Sequence, residues 1–417
     1  MKHRRKGSAG MKKLLAMILC LAMTMLLLVG CVEDEIGGDL DGYKDKYSPS
    51  LRKNIELDFY IVYEEGTTEN AIVTVERMIN SHLSDQYKTT LDMHYLTMDE
   101  YEETVLADVQ KTGEDRADIV LVIGKDMFDA LYSDHALANL SVSPKQLGGD
   151  GSGFLGTTKY GKLNTQISTT LLNASLIKEQ RTTYQDVPYD VYNRYTIPNN
   201  HVIGSYEYVL INKEAARAVN FGNDKLSAML TYESTEELRA ALASYGVYDV
   251  DECVKVAVGM YSDKALYESQ GYFCNISRYP TVDAEEAFLS SFAIVRAEND
   301  LSYLETKDPS PKDEGIVKDT SYLDHYDRCM EVIYALNTDV YFRNLIMYGV
   351  KGTNHSVDDN GSIVPYTDGP GVYNMNLLYT GDVFKANFCE VMNWNSAAKL
   401  NGEEQNKQSV VADAENE

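Results

Sequence analysis

Tryptophan is nearly missing from this chain: 417 residues carry one, Trp394. Proline is sparse as well, with nine, and cysteine with six. Only Cys253, Cys274, Cys329 and Cys389 lie beyond the first 31 residues, and they form no C-x-x-C pair. That excludes a zinc ribbon and a dense disulfide scaffold. A Cys253 to Cys274 bridge and buried free thiols both stay open. Seven histidines, His3, His82, His94, His135, His201, His325 and His355, are scattered without an H-x-x-x-H pair, so no metal or other cofactor is expected. There is no P-loop, no G-x-S-x-G and no H-E-x-x-H. Basic residues are also short, 38 against 64 acidic, which argues against nucleic acid and anionic lipid headgroups as partners.

The basic residues that exist are concentrated at the start. Lys2, Arg4, Arg5, Lys6, Lys12 and Lys13 precede an uncharged apolar run from Leu14 to Val29, the layout of a secretory signal. The run is slightly short for a spanning helix, which needs about 20 residues. It stops at Leu28-Val29-Gly30-Cys31, followed at once by Val-Glu-Asp-Glu. This stretch resembles the lipobox of bacterial lipoproteins. The resemblance implies acylation of the Cys31 thiol, cleavage before it, and a chain held on the outer face of a cell membrane, of the Gram-positive type. Losing residues 1–30 removes six basic residues and no acidic ones, leaving 32 against 64, a net charge of −32 over 387 residues. Residues 31–52, acidic and glycine-containing, read as a flexible tether.

From Lys53 onward strands and helices alternate. "IELDFYIVY" puts Ile55, Leu57, Phe59, Ile61 and Tyr63 on one face. "TENAIVTVERMINSHL" puts Ile72, Val75, Ile79 and Leu83 on one helical stripe with Thr68 as a cap. "TLDMHYL" alternates again, "MDEYEETVLADVQKTG" reads as a helix, and "ADIVLVIG" as a buried parallel strand. Such β-α units predict an α/β doubly wound sheet, whose ligands bind beyond the carboxyl ends of the strands. Glu64 and Glu65 follow the first strand, Lys125 and Asp126 the third.

Later motifs are weaker. Gly151, Gly153 and Gly156 match G-x-G-x-x-G, but no strand precedes them, so residues 144–163 are expected to be a mobile surface loop. "DDNGS", 358–362, fits a hairpin turn at Asn360-Gly361 better than a calcium loop, because the bidentate glutamate is missing. A strand reaching Pro198 is followed by Asn199 and Asn200 and then by a second alternating strand.

"YTIPNNHVIGSYEYVLINKEAA", "ADIVLVIGKDMFDALYSDHALANLS" and "CMEVIYALNTDVYFRNLIMYGVKGTNH" resemble segments of the family 1 extracellular solute-binding proteins. The resemblance covers nearly the whole chain after the signal. It implies a two-lobed periplasmic-binding-protein-like fold of mainly parallel sheets flanked by helices, with hinge strands between lobes. One lobe would run 53–198 and regain 291–337, and the other would hold 199–290 with 338–417. Residues 298–315, charged and proline-containing, are expected as a surface excursion. The implied activity is not enzymatic: a monomeric receptor hands a small solute, a sugar or oligosaccharide, to the permease subunits of an ATP-binding-cassette importer. The expected cleft residues are Glu64, Glu65, Lys125, Asp126, Asn199 and Asn200, placed by strand ends and hinge, with Tyr261 and Trp394 added as stacking groups on aromatic chemistry alone. An anchored enzyme such as a glycoside hydrolase, whose two carboxylates no motif reveals, and a structural or signalling lipoprotein remain as alternatives.

Metabolic labelling with a fatty-acid analogue is expected to mark the wild-type chain and leave Cys31→Ala unlabelled. Equal labelling of both would remove the anchor.

Overall fold

The computed structural model describes residues 53–113, 116–141, 153–214, 254–300 and 322–412, with 237, 240, 243 and 244. Cys31, the signal and tether segments, Cys253, Gly151 and residues 301–315 of the expected excursion lie outside them. The chain divides into two units, Met1–Lys53 and Asn54–Glu417, and the strands and helices named below all belong to the second.

Three strand-helix units come first: β1 (Ile55–Val62), α1 (Glu69–Tyr87), β2 (Thr89–Leu96), α2 (Met98–Asp108), β3 (Ile119–Val122) and α3 (Lys125–Ser133). Two short helices, α4 (Leu163–Gln166) and α5 (Thr169–Ala174), lead to the hairpin β4 (Leu176–Thr182) and β5 (Pro188–Arg194), then β6 (Thr196–Pro198) and β7 (Tyr206–Asn212). Next are β8 (Val254–Gly259), α6 (Asp263–Ser269), β9 (Tyr272–Arg278), β10 (Thr281–Val282), α7 (Ala284–Ala287) and β11 (Ser291–Ile294). The last elements are α8 (Tyr322–Thr338), α9 (Val340–Tyr348), β12 (His355–Val357), β13 (Ile363–Pro365), α10 (Ser396–Gln408) and β14 (Val410–Val411).

The fold is mixed α/β. Its main sheet has the order β2-β1-β3-β11-β6. β1 runs parallel to β2 and β3, while β11 is antiparallel to both β3 and β6. A second sheet, β8-β7-β9, is wholly antiparallel, as are the hairpins β4-β5 and β12-β13. Among the described residues, the expected mainly parallel pairing therefore holds only for β2-β1-β3 and for the short β10-β14 pair. Consecutive strands with short connections pair antiparallel, which accounts for the hairpins β4-β5 and β12-β13; the other antiparallel pairs join strands far apart in sequence.

Burial explains the local choices. β3 reads Ile-Val-Leu-Val with every residue 0% exposed, as a strand covered on both faces must be. β1 buries Leu57, Phe59 and Ile61 as its period predicts, and also Tyr60 and Val62. In α1 the buried stripe is Ala71, Val75, Ile79 and Leu83, and Thr68 accepts the Ala71 N–H as its cap. The Asn360-Gly361 hairpin forms, with Asp358 Oδ1 accepting the N–H groups of Asn360 and Ser362.

One expectation is corrected. From residue 153 the glycine-rich stretch is packed, not a surface loop: Phe154, Tyr160 and Leu163 are each 0% exposed. Apolar residues spaced between the glycines anchor it. Gly153 itself has φ +74°, and a Cβ there would meet the Leu140 carbonyl oxygen at 2.4 Å. Cys274, Cys329 and Cys389 are free, buried thiols, so Cys274 takes part in no bridge.

Tyr101 of α2 is the buried staple between β1 and β3. Its hydroxyl donates to the Tyr60 carbonyl (3.1 Å) and accepts the Leu121 N–H (2.8 Å). Tyr101→Phe would leave that buried N–H unpaired. It is expected to lower unfolding free energy by about 1–3 kcal/mol, read as a shifted urea midpoint with unchanged slope.

Candidate ligand-binding site at the sheet edge

In the order β2-β1-β3 the chain leaves β1 toward one side and returns across it to the other. The crossovers from β1 and β3 therefore diverge, and a topological switch point opens between the carboxyl ends of those strands. Glu64 and Glu65 leave β1 there, and Gly124, Lys125 and Asp126 leave β3. The start of β11 and the end of β6 lie on the same edge, since Ser291 pairs with both Val122 and Pro198.

The segment 374–380 crosses this edge and ties it together. The Glu64 N–H donates to the Asn374 carbonyl (2.9 Å), Asn374 Nδ2 to the Glu65 carbonyl (3.0 Å), and Asn376 Nδ2 to Glu64 Oε1 (3.1 Å). Asn199, 0% exposed, donates from Nδ2 to Ser290 Oγ (2.8 Å) and to the Leu378 carbonyl (3.2 Å). Its Oδ1 is shielded from solvent without a partner. Tyr379 is half-buried, and its phenol is held above the usual range by burial and by the Glu64 charge. Glu64, Asn376 and Tyr379 thus offer a carboxylate acceptor, an amide and an aromatic face within one cluster. Underneath, the fully buried Arg343 of α9 donates to the Leu377 and Asp382 carbonyls (3.1 and 3.0 Å), and burial pushes its guanidinium down to about 10.

Of the other expected residues, Lys125, Asn200, Tyr261 and Trp394 lie elsewhere or are already engaged, whereas Asp126 stays exposed at the β3 end. Lys125 pairs with Asp129 one helical turn on, and Asp126 is exposed beside it. Asn200 points to different partners from Asn199: it accepts the Ser168 N–H (3.0 Å) and donates to the Gln166 carbonyl and to Asp382. Tyr261, 40% exposed, stands on the second sheet with its ring 6.2 Å from that of Tyr206, which Tyr279 also approaches at 6.1 Å. Trp394 is 4% exposed, edge-on to Phe384 at 5.9 Å, with Nε1 directed at the Ala386 carbonyl. It offers no stacking face in this conformation. Asn376, Tyr379 and Ser290 were not among the expected residues. The alternating amides and apolar groups of "NMNLLY" are the sequence signal of Asn376 and Tyr379, and Ser290 lies outside that stretch.

Two other constellations have ordinary explanations. Asp58, Asp92 and His94 bring ligand atoms within 4.8 Å of one another, a set able to hold a divalent ion, but His94 Nε2 already bonds Asp58 at 2.8 Å. His325 Nε2 lies 2.9 Å from Asp118 and 3.7 Å from Cys329 Sγ. A nucleophilic triad needs those partners on opposite ring nitrogens, and burial pushes the Cys329 thiol up, away from thiolate.

No protein-family model matches the sequence, and no curated protein does. Among solved structures, the N-glycan transport solute binding protein NgtS from Streptococcus pneumoniae, in complex with Man1GlcNAc, is similar at 12% identity, over 85% of this chain and 84% of that one, with a TM-score of 0.45. An extracellular solute-binding protein family 1 member from Alicyclobacillus acidocaldarius is similar at 11% identity, 87% and 88% coverage, and TM-score 0.37. A cyclo/maltodextrin-binding protein complexed with maltotetraose is similar at 8% identity, 86% and 87% coverage, and TM-score 0.33.

Asp382, 1% exposed, gives this region a pH dependence. Burial pushes its carboxyl up to about 6, against the bonds from the Phe384 N–H and Asn200 that favour the carboxylate. The folded pKa is thus above the unfolded one, so the stability it contributes is full below about pH 4 and lost as pH rises through about 6. Asp382→Asn keeps an acceptor for Phe384. It is expected to be more stable than wild type above about pH 7, by up to roughly 3 kcal/mol, with the gap closing near pH 4 in denaturant melts.

Proposed function

We propose that this chain is a lipid-anchored extracellular receptor that binds a small neutral solute of the sugar or oligosaccharide class and delivers it to an ATP-binding-cassette importer. The observation that carries this reading is the switch-point cluster of Glu64, Asn376 and Tyr379. An exposed carboxylate and an amide supply directed acceptors and donors for hydroxyl groups, and a half-buried phenol ring supplies a face for the apolar side of a pyranose. Such a stack buries roughly 80 Å² of apolar area, about 2 kcal/mol. Tyr261 and Tyr279, about half-exposed beside Tyr206, are the aromatic surface that the second sheet would bring to the same solute. In this reading the two sheets belong to separate lobes, with the crossings near Pro198 and Ser290 as hinges, and closure is driven by contacts available only in the closed state. The acidic balance of the chain disfavours polyanionic ligands.

The test is a thermal-shift screen of the chain against sugars, oligosaccharides, amino acids and peptides, with product analysis of every hit. A neutral oligosaccharide is expected to stabilise the fold saturably, by about 2.7 kcal/mol at a hundredfold excess over Kd, and to be recovered intact. Glu64→Gln and Tyr379→Ala should each weaken binding about tenfold, near 1.4 kcal/mol, with little change in the unliganded melt. Turnover of the hit would make the protein an enzyme, and stabilisation by amino acids or peptides alone would overturn the sugar class.

A further inference from the structure

A cavity of 740 Å³ opens between α9 and the β12-β13 hairpin, and it shares no lining residue with the sheet-edge cluster. Its walls are mostly apolar, including Val340, Leu345, Tyr348 and Ile363, and its size falls in the range of small-molecule pockets, about 300–1,000 Å³. Two side chains in the lining, His355 and Lys351, offer an acceptor and a cation. His355 is 7% exposed, and its Nδ1 lies 2.8 Å from the Tyr348 carbonyl. A carbonyl oxygen only accepts, so Nδ1 carries the proton and Nε2 is a bare acceptor. Burial, with help from the nearby Lys351 charge, lowers the pKa of the ring and keeps it neutral. Nothing among the described residues donates to Nε2, and the exposed Lys351 ammonium has no carboxylate partner among them. Of the other polar groups, Asn344 accepts the Asn387 N–H and donates to the Lys385 carbonyl, and the Tyr348 hydroxyl donates to the Asn387 carbonyl, while the Tyr341 and Asn387 side chains are exposed to solvent.

We infer that this cavity is a second, independent binding site, for a flat apolar acid carrying a hydroxyl group: the ring system lies against Leu345, Tyr348 and Ile363, the hydroxyl donates to His355 Nε2, and the carboxylate meets Lys351. An acceptor alone would take any hydroxyl compound, and a cation alone any anion. Their combination over apolar walls selects an aromatic hydroxy acid. The site stands apart from the receptor reading, since it neither uses the sheet-edge residues nor needs an importer.

The probe is 6-hydroxy-2-naphthoate, titrated by its own fluorescence into the full chain, with 2-naphthoate and 2-naphthol as controls lacking the hydroxyl and the carboxylate. One saturable site is expected, with each control weaker by about tenfold, as for one lost hydrogen bond or ion contact. His355→Asn places an amide N–H where Nδ1 stood, preserving the bond to Tyr348, and removes the Nε2 acceptor. It should erase the difference between the hydroxy acid and 2-naphthoate. Lys351→Met should weaken both acids and leave 2-naphthol unchanged. Val340 is 49% exposed at the rim, so Val340→Trp should block binding without disturbing the core, and it carries the test should His355→Asn not fold. Absence of saturable binding up to the probe's solubility limit, or binding indifferent to Val340→Trp, overturns the proposal.

Discussion

A four-residue strand, β11, holds the main sheet together. Its residues Ser291, Phe292, Ala293 and Ile294 are each 0% exposed, and they pair antiparallel with β3 on one side and β6 on the other. Without it, β3 and β6 would each present a row of unpaired N–H and C=O groups in a buried place, and each such group costs about as much as a lost hydrogen bond. The gap in sequence between β3 and β11 is long, yet closure entropy grows only slowly with loop length, while the ladder bonds gained are many. The sheet edge follows from that insertion. β11 begins where β3 and β6 end, so Ser290 is fixed against Asn199. Both side chains then hold the Leu378 carbonyl, and the segment they capture positions Asn376 on Glu64. Arg343 seals the arrangement from beneath through two further carbonyls.

What could be read in the sequence was local. The periods of β1, α1 and β3, the Thr68 cap and the Asn360-Gly361 hairpin depend on neighbours a few residues away, and they appear as expected, except that Ala71 takes the place of Ile72 in the buried stripe of α1. β11 could not be read: "SFAI" is too short for a period, and only its two distant partners make it a strand. The antiparallel second sheet was hidden for the same reason, because direction is decided by connection and not by composition. Glu64 and Glu65 were legible as strand-end residues, whereas Asn376 and Tyr379 reach that end from more than 300 positions away.

Asn199 and Asn200 show how fine the limit is. The two are adjacent and chemically identical, and the sequence gives no reason to separate them. Their side chains nonetheless serve different structures, Asn199 the sheet edge with Ser290 and Leu378, Asn200 a brace to Gln166, Ser168 and Asp382. Trp394 carries a related lesson. Aromatic chemistry makes a residue suitable for stacking on a sugar, but it equally makes it suitable for a core, and Trp394 is buried here in a T-shaped contact with Phe384.

The 31 tyrosines bear on recognition in the same way. Several are internal staples whose hydroxyls serve backbone or buried carboxylates: Tyr101 joins Tyr60 and Leu121, Tyr326 joins Asp300 and Ala297, Tyr373 reaches the Ile346 carbonyl, and Tyr348 the Asn387 carbonyl. A phenol buried with its hydroxyl satisfied adds apolar area and a directed bond together, which is what a chain poor in tryptophan needs from its core. Tyrosine abundance is therefore a property of this core before it is an index of ligand chemistry. Recognition depends on which rings keep a free face where polar groups converge. In the proposed receptor those rings would be Tyr379, half-buried beside Glu64 at the main sheet's edge, and Tyr261 and Tyr279, part-exposed beside the second sheet. Tyr206, between the latter two, differs again: its hydroxyl is shielded from solvent with no partner, so that ring is committed to supporting its neighbours and not to reaching a solute itself.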